Sequence, residues 1–192
     1  MDRVWVDYQD EAAGGLFDTA RGRADEAGLL PARAKPIQDA PTPSPNGVAA
    51  IVLARLHELT GEPRWRERGA AVVAAFAGRA AELGLYAATY LLAVDWQLNP
   101  ATHLVVVGDR RDPATRAMHH ASLGGFVPRR LVQLVDRDDA GRQMLPAAIR
   151  GMLTGGNGTR GYACIGATCS QPAADLASWQ ATLESFRSAV PV

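Results

Sequence analysis

Hydrophobic positions in the first hundred residues recur at helical intervals, and beyond residue 100 they close up into short continuous runs. Val48, Ile51, Val52, Leu56 and Leu59 share one face of a helix predicted over 48–60, with Asn46 as its N-cap. Thr60-Gly61-Glu62-Pro63 then ends one helix and opens the next, glycine serving the stop and proline the start. The second helix is predicted over 64–83 with Val72, Val73, Phe76 and Ala80 inward; Gly84 separates it from a nearly all-apolar third helix over 85–98. Links this short make the helices antiparallel hairpins. Ahead of them, 1–10 reads as the tail of a helix and Gly14-Gly15-Leu16-Phe17-Asp18-Thr19 as a glycine turn into an extended piece. A polar loop over 21–26 and a second extended piece over 29–33 follow, and Pro36, Pro41, Pro43 and Pro45 forbid a regular helix before residue 47.

The period then changes. His103-Leu104-Val105-Val106-Val107-Gly108 is a buried-strand pattern, a helix follows to about residue 124, and Arg130-Leu131-Val132-Gln133-Leu134-Val135 is a second strand. Strand, helix and strand make a right-handed βαβ unit with parallel strands. Gly161-Tyr162-Ala163-Cys164 reads as a third strand, and Gln171-Pro172 opens a last helix running to 189, which sets Cys169 just before a helix N-terminus. The predicted class is α+β, mainly α. Residues 1–98 form helical hairpins with a proline-rich loop, and 99–192 form a small α/β layer with parallel strands.

Composition narrows the functional classes. The chain has 192 residues, 47% of them hydrophobic, enough to bury roughly 70% of its unfolded surface. Lys+Arg and Asp+Glu balance at 20 each, so there is no bulk positive field to bind phosphates, and no nucleic-acid partner is predicted. No apolar run approaches the roughly 20 residues that span a bilayer. The first residues carry neither the basic nor the apolar region of a signal peptide, so a cytoplasmic location without membrane contact is expected. In that setting two cysteines do not make a disulfide framework, and the spacing of Cys164 and Cys169 matches neither C-x-x-C nor half a zinc site.

Several segments taken in order carry a resemblance. They are Gly14-Gly15-Leu16-Phe17-Asp18-Thr19, Arg33-Ala34-Lys35-Pro36 with Asp39, and Pro43-Ser44-Pro45-Asn46-Gly47-Val48-Ala49-Ala50. Leu59-Thr60-Gly61, Val105-Val106-Val107-Gly108, and Tyr162-Ala163-Cys164 through Cys169-Ser170-Gln171-Pro172 complete the set. Their order and spacing resemble the C-terminal part of the thioredoxin-domain-containing family of spermatogenesis-associated protein 20. The resemblance implies a longer architecture, a thioredoxin-like domain followed by an α/α-barrel similar to six-hairpin glycosidases, so that the hairpins here are a partial α/α-barrel. A full barrel needs about twelve helices of roughly 11 residues, and the first half supplies three or four. The chain is then either a fragment or a truncated relative that covers its open helix faces by self-association. The family pattern Ser-Gly-Asn-Ser is replaced by Ser44-Pro45-Asn46-Gly47.

By the same resemblance Asp18 and Asp39 lie in loops at the barrel mouth, where a sugar-processing site would place its general acid and base. Arg33, Lys35 and Asn46 are the accompanying candidates for binding a small sugar-like ligand. The ordinary alternative is loop architecture, with Asp18 holding a turn through Thr19 and Asp39 pairing with Lys35 or Arg33. Cys164 and Cys169 are either a redox pair working with a thioredoxin-like partner or two small residues filling space. The functional expectations are accordingly a carbohydrate-related protein by fold analogy, a redox-linked accessory module, or a non-catalytic interaction domain. His57, His103, His119 and His120 read as solvated or satisfied, and neither a metal site nor a cofactor is predicted. Gly108-Asp109-Arg110 follows a strand and precedes a helix but lacks the G-x-G-x-x-G pattern of a nucleotide site.

Overall fold

A computed structural model describes residues 1–22, 33–138 and 145–189. The extended piece expected over 29–33 lies, apart from Arg33, outside the described residues. The architecture is α+β, and the chain forms two compact units. The first comprises Met1–His57 with Glu62–Asn99, and the second Glu58–Gly61 with Pro100–Val192.

In the first unit, α1 (Asp2–Tyr8) leads into loops, followed by α2 (Pro45–Thr60), α3 (Pro63–Ala74), α4 (Ala80–Leu83), a 3₁₀ turn (Gly84–Ala87) and α5 (Ala88–Leu98). α2 begins two residues earlier than a cap at Asn46 implies. Ser44 is the cap, its hydroxyl accepting the Gly47 N–H at 3.1 Å, and Pro45 takes the first helical position, where a missing N–H costs nothing. The helix predicted over 64–83 is two pieces. After Ala74 the bonds shorten to i→i+3, from Phe76 N–H to Val73 O and from Arg79 N–H to Phe76 O, and Phe76 turns into the core. The core gathers Leu16, Ile37, Leu53, Trp65, Val72 and Tyr90. Gly47 lies where α2 and α5 meet backbone to backbone. A Cβ there would stand 3.0 Å from Tyr90 N and 2.9 Å from the Thr89 methyl, so only glycine fits.

The second unit holds β1 (Thr102–Val107), α6 (Pro113–Leu123), β2 (Arg130–Val135), α7 (Ala147–Met152), β3 (Arg160–Ile165), β4 (Thr168–Cys169) and α8 (Leu176–Ala189). The strands form one sheet in the order β2-β1-β3-β4. β1 and β2 are parallel, Thr102 opposite Arg130, as the βαβ pattern requires. The expectation of parallel strands throughout is corrected at β3, which runs antiparallel to β1 with Arg160 opposite Val107 and Ile165 opposite Thr102. A third parallel strand needs its connection to carry the chain back along the sheet. α7 has 6 residues, about 9 Å of helix, and β3 starts at the end where β2 finished.

β1 is buried at every position and divides its side chains between two cores. Leu104 and Val106 face Met118, Trp179 and Leu183 of α6 and α8. Val105 and Val107 face Ile149 and Met152 of α7. The result is a βαβ unit followed by a ββα unit, with one reversed strand, α6 and α8 on one face and α7 on the other. α8 also departs from expectation. It starts at Leu176, because Asp175 Oδ1 accepts the Ser178 N–H at 2.8 Å while the Ser178 hydroxyl reaches back to the Asp175 N–H. The stretch after Pro172 instead pairs with β3 through Ala173 and Gly161. Cys169 therefore lies in a strand, not at a helix N-terminus, and no macrodipole acts on it.

Candidate functional site

The residues singled out in the first unit meet around the start of α2. Asn46 is fully buried, and its amide joins three segments: Oδ1 accepts the Leu16 N–H at 2.7 Å, and Nδ2 donates to Leu16 O at 2.9 Å and Pro36 O at 2.8 Å. Both amide hydrogens are engaged, so none is left to donate to a ligand. Asp39 accepts the Ser44 N–H at 2.7 Å through Oδ1 and the Thr89 N–H at 2.8 Å through Oδ2. It caps α5 from 50 residues away. The Thr89 N–H, with the Ser44 N–H assisting against partial burial, holds this carboxyl below its ordinary range.

Arg33 donates from Nε and Nη2 to Thr19 O at 2.9 and 2.6 Å, and its guanidinium stacks 4.0 Å over the Phe17 ring. Lys35 pairs with Asp10 at 2.7 Å and donates to Gly14 O at 3.0 Å, both side chains largely covered. Hydrogen bonds from Lys35 first, then from the Ala13 and Ala12 N–H groups, lower the Asp10 carboxyl to about 2. The expected pairing of Asp39 with Lys35 or Arg33 is thus replaced by Lys35 with Asp10. The sequence carries a signal for this partner, an aspartate two and three residues before the amides it accepts and four before Gly14, the pattern of an Asx turn.

Asp18 stands apart. Its Oδ1 accepts the Thr19 hydroxyl at 3.0 Å and the Ala34 N–H at 3.1 Å, and its side chain is exposed on a cleft of about 530 Å³. Arg3, Asp7, Tyr8, Thr19 and Arg21 share the wall. Asp18 and Asp39 do not line one cleft.

In the second unit Cys164 and Cys169 are opposite each other across β3 and β4 and form a disulfide, Cα–Cα 4.0 Å. Cys164 is buried and Cys169 exposed. His103 faces Cys164 from β1, the residue 9% exposed. Burial pushes this histidine below its ordinary value, opposed by its hydrogen bond to Gln133 Oε1 at 3.1 Å. Sequence reasoning set His103 aside, because its place opposite Cys164 depends on a strand register that no local pattern reveals.

The turn after β1 holds Asp109-Arg110-Arg111-Asp112 and no cysteine. It is closed by hydroxyls and a carboxylate. Asp112 caps α6 through the Ala114 N–H and accepts from Thr159, whose hydroxyl lies 2.6 Å from that of Thr115. The disulfide sits at the opposite end of the sheet from this turn. Among the described residues no group of three or more His, Cys, Asp and Glu side chains could hold a metal ion, and no helix is long and apolar enough to cross a membrane.

The fold and these sites define an α+β protein with a helical unit and a unit built on a small mixed sheet. Comparison with curated proteins supports the family of spermatogenesis-associated protein 20. The human protein of that name is 27% identical over 172 residues, covering 88% of this chain and 21% of its own. The rat protein is 29% identical over 131 residues, covering 68% of this chain and 16% of its own. The chain thus spans about a fifth of the length of the curated relatives it matches. No family model matches, and no solved structure matches.

Proposed function

We propose that the second unit takes part in thiol–disulfide exchange through Cys164 and Cys169, as an accessory to a dithiol partner such as a thioredoxin-like domain. The observation that carries this reading is the bonded pair itself, Cys169 an exposed residue and Cys164 a buried one. A purely structural bond has little to do here. With a sequence separation of 5, the chain entropy it removes from the unfolded state is worth about 2 kcal/mol, the low end for disulfides. Exchange instead needs an accessible sulfur and a leaving thiol held nearby, and both are present. Thiol counting on the folded protein across a series of dithiothreitol redox buffers tests it. Exchange predicts that two thiols appear together with the circular dichroism unchanged. A bond that opens only when the protein unfolds would defeat the proposal.

A second reading is favoured by the cleft at Asp18. Its volume falls within the range of small-molecule sites, and its wall of two carboxylates, two arginines and a tyrosine suits a hydroxyl-rich ligand. In this reading the first unit is the arc of an α/α-barrel of six-hairpin-glycosidase type and the ligand is sugar-like, as the family resemblance implies. Exposed Leu85, Leu91, Leu92 and Leu98 on and before α5 suit an arc whose helix faces are covered by further helices. Ligand-observed NMR with a panel of monosaccharides, repeated on Asp18→Asn, tests it. Binding lost in the variant supports the cleft, and no binding to either protein rejects it.

A further inference from the structure

Behind the disulfide lies a cavity of about 140 Å³, lined by Cys164 and Cys169, by His103, by Ile149 and Met152 of α7, and by Glu58. His103 and Cys164 are Cα partners in the antiparallel β1–β3 ladder, so their side chains leave the same face of the sheet at neighbouring positions. Gln133 on β2 fixes the tautomer. An amide oxygen can only accept, so its bond from Nε2 makes Nε2 the protonated nitrogen and leaves Nδ1 bare. Among the described residues Nδ1 makes no hydrogen bond. The structure thus places His103, with one ring nitrogen outside the Gln133 bond, on the wall of the same pocket that Cys164 lines.

We propose that His103 holds the proton of the reduced pair, so that reduction yields a Cys164 thiolate beside a His103 imidazolium and not two neutral thiols. This rests on the exchange reading given above. The step balances with a dithiol reductant. One of its thiolates attacks the exposed Cys169 sulfur, the Cys169–Cys164 bond breaks, and Cys164 leaves as a thiolate. The reductant's second thiolate then displaces Cys169. The reductant becomes a disulfide by losing two electrons and two protons, one proton going to Cys169 and the other to Nδ1 of His103. A thiolate released into an apolar pocket would otherwise be strongly disfavoured by desolvation. Glu58 is the one other titratable group on the cavity wall; the remaining α7 wall residues, Pro146, Ala148, Ile149 and Met152, carry no charge. An ionised Glu58 favours the imidazolium and disfavours the thiolate, so the comparison must hold it constant.

Cys169→Ser isolates Cys164 without any need for reduction. Its thiolate absorbance at 240 nm is followed against pH, then again in Cys169→Ser/His103→Gln. With His103 present the thiolate fraction at pH 7 is expected to be about tenfold higher than without it. Superimposable titrations would overturn the assignment. Should the glutamine variant fail to fold, NMR of the His103 ring in the wild-type protein decides the matter. The ring is expected to be neutral at pH 7 when oxidised and charged at pH 7 when reduced, and an unchanged ring on reduction would overturn the assignment. Because Cys169→Ser bypasses the disulfide, a bond that resists exchange and a histidine that ignores Cys164 give separate results.

Discussion

The loop cluster at the start of α2 and the cavity behind the disulfide both hold polar side chains, yet they use them in opposite ways. In the loop cluster Asn46, Asp39, Arg33 and Lys35 all turn to backbone groups or to Asp10, and their distances lie at ordinary hydrogen-bond values. A side chain whose donors and acceptors are engaged by the chain is architecture, whatever chemistry its type suggests. Around the disulfide the commitments are incomplete. Cys169 faces solvent and His103 keeps one nitrogen free. Residual capacity, more than residue type, is what the proposed exchange site has and the loop cluster lacks.

The sharpest way to break this contrast is Asn46→Ala. It strands the Leu16 N–H and two carbonyls without a partner in the core, and unfolding by urea should show a loss of about 3 kcal/mol. A loss below about 1 kcal/mol would mean that the loops are held otherwise. Replacing both Cys164 and Cys169 by serine should cost less, about 2 kcal/mol, with no change in the α-helical circular dichroism. Asp39→Ala removes the remote cap on α5 and is expected to lower stability by about 1 kcal/mol, read from the same urea curves.

The smallest effect concerns pH. The Asp10 carboxyl is lowered in the folded state to about 2 from 3.8, so between these values the unfolded chain binds more protons than the folded one. Its contribution is complete above the unfolded value and fades as the pH falls toward 2. Thermal melts at pH 5, 3.5 and 2.5 should therefore show the melting temperature of Lys35→Gln approaching that of the wild type as the pH falls. A gap that stays constant would remove Lys35 as the cause.

The difference in visibility between elements has physical origins. α2 and the βαβ pattern were legible because periodicity and the Pro45 and Pro113 starts are local features. The start of α8 differs from expectation because Pro172 suits a first helical turn, while the cap the structure uses, Asp175 with Ser178, is an equally local signal. The direction of β3 was not legible at all. It follows from where the chain re-enters the sheet, and the sequence between β2 and β3 names no end. The same holds for the sites. Asp10 carried an Asx-turn pattern, but the engagement of Asn46 depends on Leu16 and Pro36, 30 and 10 residues away, and the place of His103 depends on register.

Asn46 has one more consequence. Its amide lies in the first turn of α2, and the backbone of Leu16 and Pro36 docks onto it from loops that precede the helix in the chain. Those loops also hold one another, through Lys35 with Asp10, Arg33 with Thr19 and Asp18 with Ala34, and Asn46 is what ties them to the helix. The slow or fast exchange of the Leu16 amide with heavy water becomes a gauge of whether a distant helix has formed its first turn.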